Sequence, residues 1–242
     1  MTVQLPTRKQ SRASLEIGPL NARVMLAGMP KSGKSTLAAG WAPDKTLIID
    51  TQRGTTLLPG EHYVEHVSSW SAFEEVVKAL TTPGHQFETV VIDMVDDIWN
   101  FVDQHCAGRG QVLASATDDY SRSIKSAEGT FRRTIGQLLA TDLGVWFLTH
   151  TKAVQDGDVT RYVAKLDAKV LTYVQGAVQF IFLAETLGAG RKLHTAPSAK
   201  FEAGGRVALP DPMDLDARAL YDAMAAGLAA GTSNGNGNGG AK

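Results

Sequence analysis

Residues 28–35 read Gly28-Met29-Pro30-Lys31-Ser32-Gly33-Lys34-Ser35 and fit the pattern GxxxxGK[S/T]. An apolar run from Arg23 to Ala27 precedes them, and a helical pattern begins at Lys34. A glycine-rich turn between a strand and a helix lets backbone N–H groups converge on an anion, and the helix N-terminus adds partial positive charge. The stretch is therefore predicted to bind the phosphates of ATP or a similar nucleotide.

The side chains of this loop indicate how the phosphates and a Mg²⁺ ion are held. Lys34 supplies a full charge to the β and γ phosphates, and Ser35 supplies a hydroxyl ligand to Mg²⁺. Lys31 is a second cation, which we expect to face solvent, with a phosphate or partner contact as the alternative. The residues predicted to bind the nucleotide are Gly28, Met29, Pro30, Lys31, Ser32, Gly33, Lys34, Ser35 and Thr36.

A second acidic motif, Val90-Val91-Ile92-Asp93, ends another apolar run. A strand that ends in Asp is a weak signal alone, but after a phosphate loop it is the expected partner of the metal. Asp93 is predicted to hold a Mg²⁺-bound water, so the predicted metal ligands are Ser35 and Asp93. The alternative is a helix cap. Asp96 and Asp97 are interpreted as acids of the next helix's first turn.

Apolar strand-like runs alternate with helical patterns along the chain, which is typical of a parallel sheet covered by helices. We predict an α/β fold with a mostly parallel central sheet flanked by helices and with a C-terminal hairpin and helix. The predicted late elements are a polar loop over 152–162, a hairpin over 192–207 that turns at 202–205, and a helix over 215–228.

The composition fits one globular domain between two polar ends. The chain has 242 residues, of which 43% are hydrophobic, and a formal net charge of -1. That charge excludes a globally basic protein, so any nucleic-acid surface must be local. The single cysteine, Cys106, rules out an internal disulfide and fits a reducing compartment. We divide the chain into a flexible arm (1–20), a nucleotide-binding domain (21–230) and a disordered Gly/Asn-rich tail (231–242).

The order of these motifs resembles the RecA-like branch of P-loop NTPases. It is most similar to phage-type single-domain RecA-like proteins, described as AAA-domain nucleotide-binding or single-strand annealing proteins. The resemblance covers about residues 20–225 and rests on segments 28–35, 48–54, 90–93, 147–152 and 201–210. It implies a RecA-like fold, ATP and Mg²⁺ as cofactors, single-stranded DNA as partner, and a homo-oligomer in the form of a ring or filament.

The resemblance also implies roles for three further residues. His150 becomes a sensor of the γ-phosphate, and Arg206 an arginine finger donated across a subunit interface. Family members tend to carry a water-activating acid at the position of Gln52. A carboxamide can orient water but is not a base, so we expect slow hydrolysis. The predicted catalytic residues are Lys34, Gln52, Asp93, His150 and Arg206; a structural histidine and an ordinary hairpin cation are the alternatives for the last two.

Segment 152–165 is the predicted DNA contact. Lys152, Arg161, Tyr162 and Lys165 give the basic and aromatic mixture that single-stranded nucleic acid uses, although Asp156 and Asp158 oppose it. The leading interpretation is a RecA-like ATPase that binds single strands and promotes annealing or recombination.

Two other classes stay open at this point. One is a P-loop small-molecule kinase, which usually needs several arginines in a closing lid. The other is a nucleotide-gated adaptor with little catalysis, which Gln52 favours. The sequence shows no signal peptide and no run long enough to span a bilayer. We therefore expect a cytoplasmic protein without a membrane partner, in the host cytoplasm if a phage encodes it.

Overall fold

The computed structural model describes residues 18–108, 116–188 and 190–233. Within these ranges, ten strands form the sheet and six α-helices are present. The strands are β1 (Arg23–Gly28), β2 (Thr46–Asp50), β3 (Tyr63–His66), β4 (Thr89–Asp93), β5 (Gly144–Asp156), β6 (Val159–Ala164), β7 (Phe180–Leu187), β8 (Gly190–His194), β9 (Gly204–Gly205) and β10 (Met213–Asp214). The helices are α1 (Lys34–Ala39), α2 (Trp70–Leu80), α3 (Val95–Gly108), α4 (Ala116–Leu139), α5 (Ala168–Ala177) and α6 (Ala217–Ser233).

Six strands run parallel in the order β3-β2-β4-β5-β1-β7, and β8 and β10 continue the sheet antiparallel beyond β7. The phosphate-loop strand β1 therefore lies between β5 and β7, and β5 separates it from β4. Because parallel strands end at one edge of a sheet, the segments after Gly28, Asp50 and Asp93 meet there. The predicted α/β fold, a RecA-like P-loop NTPase fold with a mostly parallel sheet flanked by helices, is confirmed.

The core has two layers, one on each face of the sheet. Helices α2 to α5 pack on one face through apolar side chains such as Phe73, Ile98 and Phe131, each fully buried. Helices α1 and α6 pack on the other face through Leu37 and Leu220. Strand β4 is buried at all five residues because helices cover both of its faces, which explains its continuously apolar sequence.

The segment 152–162 was predicted to be a polar loop, and that prediction is wrong. Strand β5 continues without a break to Asp156, and β6 pairs with it antiparallel from Val159 to Ala164. The chain turns at Gly157, whose φ of 60° suits glycine. A two-stranded ribbon (residues 151–164) therefore projects from the edge of the sheet where the phosphate loop lies, and its polar character reflects exposure on both faces.

The predicted hairpin over 192–207 is also placed differently. The C-terminal hairpin is formed by β7 and β8, whose last register pair is Leu187 with Gly190, and the glycine-rich stretch 204–205 instead pairs with the start of β7. Gly204 has a φ of 157° and lies in a strand, not at a hairpin turn. The two glycines therefore indicate a backbone that needs conformational freedom, but the chain does not form the hairpin turn at this position.

Both predicted flexible ends lie largely outside the described residues, which begin at Gly18. Helix α6 starts at Ala217 and runs to Ser233, so it enters the segment assigned to the tail. In the part of the chain that the structure describes, no helix is both long and apolar enough to cross a bilayer.

Candidate nucleotide-binding site

The phosphate loop connects β1 to α1 in the geometry that its sequence predicts. Gly33 precedes the helix with a φ of 95°, and a Cβ at this position would lie 2.5 Å from Leu215 Cδ2. Only glycine satisfies both restrictions. Leu37 N then donates to the carbonyl of Gly33 at 2.9 Å and closes the first helical turn. The free N–H groups of this turn and of the loop form a cradle for an anion.

Lys34 lies at the base of this loop and is only 4% exposed. Its Nζ donates to the carbonyl oxygens of Gly28 at 2.9 Å and Met29 at 3.0 Å. Burial lowers the pKa of Lys34, and the carboxylates of Asp93 and Asp96 partly offset that shift. A buried ammonium held by carbonyls of the loop is positioned for a phosphate that the loop binds.

Asp93 lies at the end of β4 with 5% exposure, and the Ser35 hydroxyl hydrogen-bonds to it. Burial is the main reason that the pKa of Asp93 rises to about 6, and the nearby Asp50 carboxylate raises it further. The Ser35 hydrogen bond, Lys34 and His150 act in the opposite direction. The contacts within the chain do not offset the cost of burying the Asp93 charge, so a cation beside this carboxylate would stabilise its ionised form. The two predicted ligands, Ser35 and Asp93, therefore fit Mg²⁺.

Asp50 is the register partner of Asp93 on the neighbouring strand β2. Its Oδ1 accepts from the amide of Gln52 at 2.9 Å, and its Oδ2 accepts from the amide of Thr55 at 3.0 Å and from the Thr55 hydroxyl. Burial opposes ionisation, but these bonds outweigh it and hold the pKa of Asp50 below its ordinary value. Asp50 therefore orders the loop after β2 and adds a fixed negative charge beside Asp93.

Gln52 lies on this loop and lines the cleft beside the phosphate loop. Its side-chain Nε2 donates to Oδ2 of Asp97 at 2.8 Å, and the Thr51 hydroxyl donates to the same oxygen at 2.7 Å. The predicted water-orienting amide is thus at the cleft, and its partner is the carboxylate of Asp97, which together with Asp93 is the alternative water-activating acid if Gln52 is only a surface residue. The sequence signal for Asp97 was ambiguous because helix first turns are commonly acidic.

His150 also lines the cleft, and Asp96 holds it in place. His150 Nδ1 lies 2.9 Å from Asp96 Oδ2, and the backbone amide of His150 donates to Oδ1 at 3.3 Å. Because a carboxylate only accepts, the hydrogen belongs on Nδ1, and Nε2 is left for the cleft. Asp96, interpreted from sequence as an ordinary first-turn acid, is 7% exposed and works as the orienting partner of His150.

These residues surround a cleft of about 590 Å³ at the strand-end edge. A larger cleft of about 670 Å³ lies near Gly18 and Asp142, but none of the predicted site residues line it. Chemistry, not size, therefore identifies the site. The residues that line the smaller cleft are Pro30, Lys31, Gly33, Lys34, Ser35, Thr36, Asp50, Gln52, Gly54, Leu57, Leu58, Asp93, Met94, His150 and Arg191.

Arg206 lies away from this cleft, at the opposite edge of the sheet. Its amide donates to the carbonyl of Gln179 at 3.1 Å, and its neighbour Gly205 pairs with Phe180 at the beginning of β7. The structure therefore brings together Lys34, Gln52, Asp93 and His150 but not Arg206. A finger role would need a neighbouring subunit, as the sequence analysis expected, and it stays a prediction.

The strand order and the cluster of Lys34, Ser35 and Asp93 define a P-loop NTPase. A family model described as AAA domain matches residues 20–207, which is most of the chain, and the protein belongs to this family of nucleotide-binding NTPases. In the comparison with curated proteins, nothing matches the chain.

Proposed function

We propose that this AAA domain binds ATP with Mg²⁺ and hydrolyses it slowly, and that the bound nucleotide controls binding to single-stranded DNA. In this proposal the protein acts as a ring or filament of identical subunits and promotes annealing or strand pairing, as phage recombination proteins do. The nucleotide part rests on one observation: a buried lysine, the Ser35 hydroxyl and the buried Asp93 carboxylate converge beside a phosphate loop.

Each side chain of this cluster has a distinct task. Lys34 would neutralise the β and γ phosphates, and Ser35 and Asp93 would hold Mg²⁺. Mg²⁺, when bound, supplies positive charge that stabilises the phosphate oxygens. Asp50 and the Asp96–His150 pair fix the loop and the imidazole around these groups, so little reorganisation is needed.

Slow hydrolysis follows from the group at the water-activating position. Gln52 can accept a hydrogen bond from water, but it cannot take a proton. Its Nε2 is already committed to Asp97, which limits its freedom to turn. Asp97 is the alternative base, since its carboxylate lies in the same cluster. The same arrangement also supports a second candidate, a nucleotide-gated adaptor that binds ATP and releases almost no phosphate.

Coupling to DNA is proposed through the ribbon that continues β5. His150 lies within β5, and its carbonyl accepts from the amide of Lys165 at 2.7 Å. A shift of His150 is therefore transmitted along one continuous strand to Lys152, which is exposed on the ribbon. Arg161 lies on the same ribbon face, but Asp156 at 3.3 Å and Glu202 at 3.5 Å partly neutralise it.

The experiment that tests this function is a gel shift with labelled single-stranded DNA, with and without ATP and Mg²⁺. We expect ATP-dependent binding by the wild type and none by Lys34→Ala, and sedimentation should show assembly under the binding conditions. Binding that ignores the nucleotide would contradict the proposed coupling, and a strictly monomeric protein with ATP and DNA would contradict the ring or filament.

A further inference from the structure

Arg191 lies at the rim of the phosphate cleft, although it is far from the P-loop in sequence. The β7–β8 turn reverses the chain at the strand-end edge, and Arg191 pairs there with Thr186. Its carbonyl accepts from the amide of Leu215 at 3.3 Å. Two neighbouring backbones therefore fix the position of this residue.

The side chain of Arg191 extends towards the phosphate loop. Alternate residues of a strand share a face, and Leu193 is buried in the layer that contains α1. Arg191 consequently lies on the α1 side of the sheet. A Cβ added at Gly33 would be 3.1 Å from Arg191 Cδ and 3.3 Å from its Nη1, so the arginine covers the outer surface of the loop.

The guanidinium lacks an anionic partner within the described parts of the chain, where every ion pair involves other residues. Its neighbour Lys192, on the opposite face of β8, pairs with Asp214 at 2.6 Å. A planar guanidinium binds phosphate through two parallel N–H groups. An unpaired arginine against a phosphate loop is therefore available to a phosphate.

We propose that Arg191 is a nucleotide ligand supplied by the same subunit, and that it binds the diphosphate part shared by ATP and ADP. The strand order favours the diphosphate over the γ-phosphate as the partner of Arg191. In the sheet, β1 lies between the β7–β8 hairpin, which carries Arg191, and strands β5 and β4, which carry His150 and Asp93. Arg191 and the metal-binding acids thus lie on opposite sides of the loop. The proposal rests on the proposed nucleotide binding and adds a residue to it.

The test is titration calorimetry with ADP and with ATP, each with Mg²⁺, on Arg191→Ala, Arg191→Lys and the control Lys192→Ala. Because the arginine is exposed, we expect Arg191→Ala to weaken both nucleotides about three- to ten-fold. Arg191→Lys should recover part of this loss, since it keeps the charge but not the fork. Lys192→Ala should bind like the wild type.

Thermal unfolding separates a binding role from a structural one. Without nucleotide, Arg191→Ala should unfold at the wild-type temperature, but its stabilisation by ADP should be smaller. If Arg191→Ala binds both nucleotides like the wild type while Lys34→Ala does not, Arg191 is no ligand and the proposed function stands. A loss confined to ATP would contradict the diphosphate assignment. If the wild type binds neither nucleotide, the proposed function fails, and this proposal fails with it.

Discussion

The side-chain amide of Gln52 donates a hydrogen bond to the carboxylate of Asp97 at 2.8 Å, at the edge of the phosphate cleft. This contact brings the residue at the predicted water-activating position together with the nearest alternative base. The two can be separated by mutation, because only one of them can take a proton from water.

Gln52→Glu is expected to raise ATP turnover. A carboxylate at this position can act as a general base, and such catalysis contributes about 10²–10⁴ in rate, so an increase of at least about ten-fold should be visible. The variant also replaces the hydrogen bond to Asp97 by two facing carboxylates. ATP affinity should still stay within about three-fold, since Lys34, Ser35 and Asp93, the residues proposed to hold the phosphates and the metal, are unchanged. Steady-state phosphate release with saturating single-stranded DNA, followed as the ATP concentration is varied, measures the turnover number and the dependence on ATP.

Two further variants serve as controls for that change. Gln52→Ala should stay at or below the slow wild-type rate, and Asp97→Asn should leave it nearly unchanged. If Asp97→Asn abolishes turnover while Gln52→Glu does nothing, then Asp97 is the base and the position of Gln52 is misassigned.

Asp96→Asn should impair catalysis more than binding. The amide keeps the shape of Asp96 but can donate to His150 Nδ1, which favours the other tautomer of the ring. Loss of an orienting partner typically costs about ten- to a hundred-fold, so we expect such a fall in kcat with ATP affinity nearly unchanged. The ¹⁵N chemical shifts of His150 should report the changed tautomer. Asp103→Asn, on the same helix, is the matched control, and equal kinetics of the two variants would disprove the orienting role.

The raised pKa of Asp93 predicts a measurable cost to stability in the protein free of nucleotide and metal. In the folded protein the pKa of Asp93 is about 6, whereas the ordinary value for this side chain is 3.8. Proton binding therefore favours folding, and the free energy of unfolding falls as the pH rises through this window. Asp93→Asn removes the effect, so it should stabilise the protein at pH 7.5 by on the order of 3 kcal/mol.

Denaturant unfolding in EDTA from pH 4 to pH 8 measures this difference. The stability advantage of Asp93→Asn over the wild type should shrink as the pH falls below about 6 and vanish near the ordinary aspartate pKa of 3.8. Asp50, whose pKa is lowered and whose contribution to stability has the opposite sign, is present in both proteins, so the comparison removes the part of its contribution that does not depend on Asp93. A difference that does not change with pH would contradict the raised pKa of Asp93.

Lys152→Ala, on the ribbon, and Lys165→Ala, directly after it, should each reduce the salt dependence of single-strand binding. Each lost phosphate contact reduces the slope of log K against log salt by about 0.7. Arg161→Ala should have a smaller effect, because Asp156 and Glu202 already oppose its charge. Lys78→Ala, on the exposed face of α2, is the control. Unchanged slopes for both Lys152→Ala and Lys165→Ala would place the DNA site elsewhere.

The sequence predicted those parts of the site that depend on residues close to one another in the chain. The phosphate loop and the strand ending at Asp93 are local patterns, and the parallel sheet aligns their ends. The role of Asp96 could not be predicted, because Asp96 and Asp97 look alike in a helix first turn. Only the packing of α3 against β5 sends one to His150 and the other to Gln52.

The remaining errors concern long-range pairing. Arg191 reaches the phosphate loop only because the β7–β8 hairpin brings it there. The sequence does not predict the turn of this hairpin, because the stretch Glu202-Ala203-Gly204-Gly205 is a stronger turn signal. The sequence predicts a loop in place of the ribbon because residues beyond Thr149 lose the apolar pattern of a buried strand. Exposed strands carry little periodic signal, since neither of their faces packs on a core.

The most direct measurement of the central claim is the affinity for ATP with Mg²⁺ of the wild type and Lys34→Ala, determined by calorimetry. Lys34 is the buried cation aimed at the loop, and charge-assisted hydrogen bonds contribute about 1.5–3 kcal/mol. The affinity of Lys34→Ala should therefore fall at least about ten-fold. Equal affinity of the two proteins would contradict the assignment of this cleft as the nucleotide site.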